Sequence, residues 1–473
     1  MSHLLKAMGL WMWGLIAIGI SVSLVSVSYR VISVYRSHDL SARTASSDVA
    51  ASPAAAAAPP PMLFSPEGKP TSPSVKSSSA NGSNQQTISR LITHEMSAAQ
   101  TAVQAQQWSE ALQNLEAAEA KSPLTPYDKA KISESEAHAY TRINNLKATQ
   151  AAYEAVLASG AYRDEELAKL FRALFQLAAA NGQSTNAIEY GKQAFDAGAM
   201  RPYDVLIMSQ LYYQEKDCKN SGVWGDKAIA AFKKAGEQPK EVLYQLKLQC
   251  ASDAHEMAGM ISALYDLVRL TNKTSYWNNL IRLERQDERD DHNTLMIYQV
   301  MYDTKAMQAD TDYIEMAQLL GDAALPGEAQ MVLEKLMSTS GVLKDEHRER
   351  ATRLLNAMKA RADADRIGLP ALESEAAKNP AGQLDVRLGE LYFGAGDYQG
   401  AATAISRGLG KAQINRLDEA YVYLGRYWVA ENEPTEAKKT LAQLRTLPNI
   451  SAHVLRLWNL YADTLPEAPS ASL

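Results

Sequence analysis

Between residues 384 and 448, apolar and small positions recur at a fixed spacing. The stretch reads LDVRLGELYFGAGDYQGAATAISRGL, then a short connector, then LDEAYVYLGRYWVAENEPTEAKKTLAQLRTLP. In the first half, Leu388-Gly389 is followed by Tyr392, Gly396, Tyr398, Ala401 and Ile405. In the second, Leu424-Gly425 is followed by Trp428, Ala437, Leu441, Leu444 and Pro448. The interval from glycine to the following small residue is twelve in both halves. Such blocks predict pairs of amphipathic helices. A small residue on each helix lets the two approach closely and antiparallel, and large apolar residues fill the seam. One pair cannot bury its apolar face alone, so neighbouring pairs must stack.

Weaker copies of the pattern lie upstream at a period of about 34–38 residues. Ala99, Ala102, Ala111, Leu115, Ala118 and Pro123 form one set. Ala137, Tyr140, Thr149, Tyr153 and Val156 form the next. Phe175, Ala178, Ala187 and Ala194 form a third, and Ser209, Tyr212, Ser221 and Ala228 a fourth. LYDLVRLTNKTSYWNNLIRL puts Leu264, Leu267 and Leu270 on a second helix, with Asn272 where the unit ends and Trp277 and Leu280 on the next first helix. Ala317, Leu320, Ala329, Leu333 and Leu336 follow, with Pro326 in the turn between helices.

These offsets resemble the tetratricopeptide repeat family over residues 88–450. The resemblance implies an all-α fold, a right-handed α-solenoid of stacked helical hairpins. The array is expected over residues 88–340. Residues 341–380 match poorly: a charged helix from about Asp345 to Ala364 is expected to break at Gly368 and Pro370, as a degenerate repeat or a bend. The C-terminal repeats and a capping helix with Val454, Leu457, Leu460 and Tyr461 occupy 381–466, and residues 467–473 read as a disordered tail.

The N-terminus has a different pattern. Gly9 to Val27 carries no charge and is long enough to span a bilayer. Residues 1–36 therefore read as a transmembrane anchor, with a cleaved signal peptide as the competing reading. Residues 37–87 contain AASPAAAAAPPP and a Ser-rich run without apolar periodicity, the composition of a disordered linker. Arg30, Arg36 and Arg43 outnumber Lys6 across the span, which favours a cytoplasmic body by the charge rule. The long Pro/Ser spacer favours the periplasm.

The net charge of −6 over 473 residues, with no basic stripe, argues against a nucleic-acid partner. Alanine is abundant and β-branched runs are scarce outside the N-terminus, which favours helix. His94-Glu95 and His255-Glu256 lack the second histidine of a zinc-protease motif. The run Gln286 to His292 is rich in carboxylates but lacks the alternation and glycine of a calcium loop, and reads as a solvated turn before a helix near Asn293. With no phosphate loop and no nucleophile elbow, the expectation is a protein without catalysis, cofactor or metal.

The two cysteines carry more information. Cys218 falls near the start of a second helix and Cys250 late in the next first helix, and stacking brings these ends close. Either the two form a disulfide, which belongs to an oxidising compartment, or they are buried free thiols. The bridge, like the spacer, would favour the periplasm.

In the repeat family the first helix of each pair lines a groove that holds protein or peptide partners. Carried over, the groove positions are His138 and Arg142, then Tyr203, Gln210 and Tyr213, then Val386, Glu390 and Phe393, and Val422, Arg426 and Val429. The passage YDLVRL…YW also resembles envelope repeat proteins that accompany TonB/ExbB systems. That second resemblance assigns no mechanism; with the apolar span, the spacer and the cysteines, the repeat resemblance leads to the expectation of an inner-membrane scaffold of a Gram-negative bacterium, its body in the periplasm. The alternatives are a cytoplasm-facing assembly factor and an accessory subunit of an envelope enzyme.

Overall fold

The computed structural model describes residues 87–411, 413–448 and 450–466. They form twenty α-helices and one short 3-10 helix, with no strand among them. The expected anchor, most of the linker and the C-terminal tail lie outside the described residues. Among the described residues no helix is long and apolar enough to cross a membrane. The chain divides into two compact units between Ser252 and Asp253.

Unit 1 holds α1 (Thr93–Gln104), α2 (Trp108–Glu119), α3 (Pro126–Arg142), α4 (Leu146–Ser159), α5 (Asp164–Ala180), α6 (Ser184–Asp196), α7 (Pro202–Gln214), α8 (Cys218–Lys234) and α9 (Glu241–Asp253). The first eight pair as consecutive hairpins. The same turn closes each hairpin. One residue takes positive φ (Gln106, Asn144, Gly182 and Lys216). The next backbone N–H then reaches back five residues: Gln107 to Ala102, Asn145 to Tyr140, Gln183 to Ala178 and Asp217 to Tyr212, at 2.8–2.9 Å. This is the six-to-one bond of a Schellman turn, which satisfies a carbonyl the helix end would orphan. Three of the four positions are not glycine, so the turn is held by its hydrogen bond and by hairpin packing rather than by a permissive residue.

The small residues sit where the spacing predicts. Ala99, Ala111, Ala137, Ala178, Ala187, Ala194 and Ala228 are all at most 2% exposed. In the fourth hairpin the two facing positions are serines that satisfy each other: Ser209 Oγ donates to the Ser221 carbonyl (2.8 Å), and Ser221 Oγ to the Ser209 carbonyl (2.9 Å). Cys218 and Cys250 form a disulfide, with Cα atoms 5.5 Å apart, that ties the first turn of α8 to the last part of α9.

Unit 2 holds α10 (Met257–Thr271), α11 (Thr274–Arg285), α12 (Asp291–Asp303), α13 (Asp310–Asp322), α14 (Pro326–Ser338), α15 (Asp345–Lys378), α16 (Gln383–Gly394), α17 (Tyr398–Lys411), α18 (Leu417–Ala430), α19 (Pro434–Ala442), the 3-10 turn Gln443–Thr446 and α20 (Ala452–Thr464). The glycines of the two strongest repeats are required by contact. A Cβ on Gly389 would lie 2.4 Å from Ile405 Cγ1 and 2.9 Å from the Ala401 carbonyl oxygen, and one on Gly425 2.6 Å from Leu441 Cδ2. Asn272 ends α10 in the left-handed region (φ 50°), and its side chain accepts from the Trp277 indole at 2.7 Å. Pro326 is the first residue of α14, where its missing donor costs nothing.

A buried aspartate in the first turn of a first helix recurs through both units. Asp128, Asp204, Asp312 and Asp385 are 0–3% exposed. Asp204 accepts from the Arg201 backbone N–H and also from Arg172 and Gln176 of the preceding hairpin. Asp312 takes Arg282 at 2.7 Å, and Asp385 takes Arg407 and Lys411. One carboxylate thus serves a helix N-terminus, where negative charge is favourable, and fixes an adjacent helix.

One expectation is corrected in unit 2. The break at Gly368 and Pro370 does not occur: α15 is one helix of 34 residues, with Pro370 inside it. Proline in a helix costs about 3 kcal/mol, but α15 is anchored on both sides of Pro370. Met358 packs on Gly321 and Arg361 donates to the Gly321 carbonyl; downstream, Leu369, Leu372 and Ala376 pack with Leu388 and Ala404. The terminal helix α20 does more than cap. It keeps an exposed side at Ala452, Arg456 and Asp463, but it closes the array on more than its neighbour: it packs on α19 and also on α10, α11 and α12, so the two ends of unit 2 meet.

Candidate binding surface

In unit 1 the first-helix face remains at the surface. Lys131, Glu134, His138 and Arg142 lie along one side of α3 at spacings of three and four. Lys131 Nζ donates to Glu134 Oε2 (2.8 Å) and to Tyr162 Oη (3.1 Å), and Tyr162 Oη donates to the same carboxylate oxygen (2.5 Å). The Lys131 ammonium also stands over the Tyr127 and Tyr162 rings, 5.4 and 5.2 Å from their centroids. Arg142 is exposed and His138 half-buried. Arg142 Nε contacts His138 Nε2 at 3.4 Å. Burial first, and then the Arg142 charge, hold the imidazole below its ordinary pKa. His138 is therefore neutral at pH 7, an acceptor and a flat ring rather than a cation.

On α7, Tyr203, Gln210 and Tyr213 are half-buried and lie seven and three residues apart on one side. Tyr203 stands edge-on to Phe232 at 5.1 Å, with Lys240 over both rings. Between these two sets lie Arg172 and Gln176 of α5, both bonded to Asp204. The face therefore offers flat amphipathic rings and amide groups, with most of its charge already paired.

Unit 2 places its three candidates differently. Glu390 and Arg426 are 5% exposed, and so is Phe393. Arg426 presents a two-nitrogen fork to Asp303, with Nε at 2.8 Å and Nη2 at 3.2 Å, and Nη1 donates to Glu328 at 2.6 Å. Tyr423 Oη donates to the other Glu328 oxygen at 2.5 Å and accepts from Gln299 at 3.0 Å. The guanidinium also lies 4.6 Å from the Phe393 ring centre. Glu390 receives Arg387 at 3.1 Å. Burial, and then the nearby Glu419 charge, push the Glu390 carboxyl up to about 8 despite Arg387. The side chains expected in a groove are thus satisfied from within unit 2, and Val386 and Val422 are fully buried beside them.

The carboxylate-rich turn from Gln286 to His292 is exposed over most of its length, as a solvated turn should be, and only Glu288 and His292 are drawn inward. Glu288 accepts from Ser451 Oγ (2.9 Å), and His292 is held between Asp418 at 2.7 Å and Glu419 at 2.9 Å. Burial alone would lower this imidazole's pKa, but the two carboxylates outweigh it and push it up to about 9. Asp290 caps α12 by accepting from the Asn293 N–H, as a carboxylate before a helix should.

Sequence reasoning missed Asp303, Glu328, Tyr423 and Gln299. One signal was present. Arg426 interrupts the run AYVYLGRYWVA, and a charge inside an apolar helix face needs a buried counter-charge. Which carboxylates supply it was not legible, since they lie 123 and 98 residues away.

No family model matches the chain, and none of the curated proteins matches it. Among solved structures it is similar to a tetratricopeptide repeat protein from Parabacteroides merdae, at 11% identity over 79% of this chain and 99% of that one, with a TM-score of 0.27. It is similar to the C-terminal part of a TPR repeat-containing protein from Cytophaga hutchinsonii, at 14% identity over 55% of this chain and 93% of that one, TM-score 0.30. It is also similar to the TPR2AB domain of yeast Sti1, solved as a complex with pHSP90, at 11% identity over 57% and 98%, TM-score 0.31. With superpositions this loose, the fold described above rests on the chain's own packing.

Proposed function

We propose that this chain is a membrane-tethered scaffold of the bacterial envelope, without catalysis, which binds a protein or peptide along the first-helix face of unit 1. One observation carries the choice of face: His138, Arg142, Tyr203, Gln210 and Tyr213 are exposed or half-buried, whereas Glu390, Phe393 and Arg426 are buried. Tyrosine and arginine are the types that anchor interfaces. The tether rests on the charge-free stretch Gly9 to Val27 and the spacer after it. The Cys218–Cys250 bridge supports an oxidising compartment. The arginine excess after the span supports a cytoplasm-facing body instead, and keeps that reading as the alternative.

A photo-crosslinking amino acid placed at Tyr203, Tyr213 or Phe393 in cells tests the face. Crosslinked products at 203 and 213 but not at 393 are expected. Products at 393 alone would overturn the assignment. A C-terminal topology reporter, with alkylation of both cysteines before and after reduction, tests the compartment. Thiols that react without reductant in the unfolded protein, together with a cytoplasmic reporter signal, would refute the envelope reading.

A further inference from the structure

Two first helices of unit 1 begin alike. α3 opens Pro126-Tyr127-Asp128 and α7 opens Pro202-Tyr203-Asp204, with one hairpin between them. Capping explains the proline and the buried aspartate. It does not explain the tyrosine, or what gathers round it. At α3, Lys131 Nζ stands over Tyr127 (5.4 Å) and over Tyr162 just after α4 (5.2 Å). At α7, Lys240 Nζ stands over Tyr203 and over Phe232 of α8, 5.2 Å from each. Tyr162 and Phe232 are buried. Tyr127 and Tyr203 are half-buried. Each helix start thus presents a tyrosine with a second ring and an ammonium gathered at it.

The chemistry selects a ligand without net charge. Lys131 is already paired with Glu134 at 2.8 Å, and Lys240 has Glu237 at 3.9 Å. What is left on offer is ring surface with hydrogen-bond donors beside it. A polyproline II segment matches that offer. Its pyrrolidine rings pack on tyrosine, its carbonyls accept, and its stiffness keeps the ordering cost low. The chain carries such a segment: residues 59–73 read PPPMLFSPEGKPTSP, with Glu67 and Lys69 cancelling. Pro59, Pro66 and Pro73 are seven apart, about 22 Å in polyproline II. α3 and α7 are two hairpin steps apart, on the order of 20 Å for helices that pack at roughly 10 Å. The entry point fits as well. The Ser89 N–H donates to Asp128 at 2.8 Å, so the chain joins unit 1 beside Tyr127. Pro66 lies 21 positions before Thr87, a root-mean-square reach of about 25 Å for a flexible chain. A tether whose reach matches the span it must cross gives an effective concentration in the millimolar range.

We propose that the starts of α3 and α7 form a two-point binding site for a proline-rich segment, and that the chain's own residues 59–73 occupy it until a partner displaces them. The inference rests on the first-helix face of unit 1 being the binding face, and it names the class of ligand that face takes.

Photo-crosslinking in the dilute, purified full chain tests the occupant. With p-benzoylphenylalanine at Tyr203, which keeps a ring there, intramolecular products are expected to map to residues 57–76. Replacing Pro59, Pro60, Pro61 and Pro66 by serine leaves every described residue unchanged and is expected to lower that yield at least about fivefold. Tyr127→Leu, which keeps bulk and removes the ring, is expected to lower it about threefold. No product within 57–76, or a yield that the serine variant leaves unchanged, would overturn the internal occupant. A yield that Tyr127→Leu leaves unchanged would overturn the two-point site. In cells, the serine variant is expected to increase partner products at 203. Partner products at 203 with no internal product in the purified chain would sink this inference and leave the scaffold reading standing. Internal product with no partner product would refute the partner and leave the docked segment.

Discussion

Replacing Arg426 by methionine keeps the length of the side chain and removes its charge. The Arg426 side chain is 4% exposed, Glu328 2% and Asp303 13%. Neither carboxylate has water enough to replace the guanidinium, so the variant buries two like charges without a counter-charge, Glu328 keeping only the Tyr423 hydroxyl. Breaking a buried pair in this way costs about 3–5 kcal/mol, a large fraction of a typical domain's stability. The loss has a pH signature whose sign follows from linkage. Burial already raises the Asp303 pKa, with Arg426 opposing it. Without the arginine, the Asp303 carboxyl binds its proton in the folded state well above its unfolded value of about 4. The folded state then holds more protons than the unfolded one, so stability falls as pH rises from about 4 toward the new folded value. R426M is therefore expected to be more destabilised at pH 8 than at pH 5. Urea unfolding read by pulsed hydrogen exchange assigns the transition to α12–α18. The triple variant R426M/D303N/E328Q, which removes both buried charges, should recover most of the loss. A loss below about 1 kcal/mol, or one independent of pH, would show that the cluster is wet and that the argument fails.

Other consequences follow from single contacts. Gly389→Ala forces a methyl against Ile405 and the Ala401 carbonyl and should cost about 1–3 kcal/mol, whereas Gly368→Ala, whose Cβ meets nothing, should gain about 0.5–1 kcal/mol; thermal unfolding gives both signs. Glu390, pushed up to about 8, is protonated in the folded protein and ionised in the unfolded chain between pH about 4.5 and 8, so it lowers stability as pH rises through that window. Glu390→Gln should flatten this part of the stability–pH curve, and an unchanged slope would place the titration elsewhere. Cys218→Ser opens a loop with a sequence separation of 32 and should cost unit 1 about 3–4 kcal/mol. Reductant should then shift the Tm of the unaltered protein but not that of the variant.

The hairpin repeat was legible because it rests on local rules. Small residues twelve apart set helix approach, and the seam around Gly389 and Gly425 is what that spacing demands. The turns were partly legible: Gly182 and Gly396 mark two of them, but Gln106 and Lys216 adopt the same backbone for reasons of packing. Residues 344–380 misled for a related reason. Propensity ends a helix at Gly368-Pro370, while contacts at Gly321, Leu388 and Ala404 carry α15 through. Of the candidate surface, the side chains of α3 and α7 stay accessible because no other described part of unit 1 covers them. Those of α18 had the same periodicity and a different fate, because Asp303 and Glu328 return to Arg426 and Tyr423 from far along the chain.

What the sequence alone determined is therefore the unit of construction: helices of a given length, paired at a given spacing, with one apolar face each. What only the tertiary structure decided is which faces stay open. Periodicity reports which side of a helix avoids water, and it is blind to partners a hundred residues away. In unit 2 those partners are charges, so burial of Arg426 was settled by long-range pairing, not by hydrophobicity.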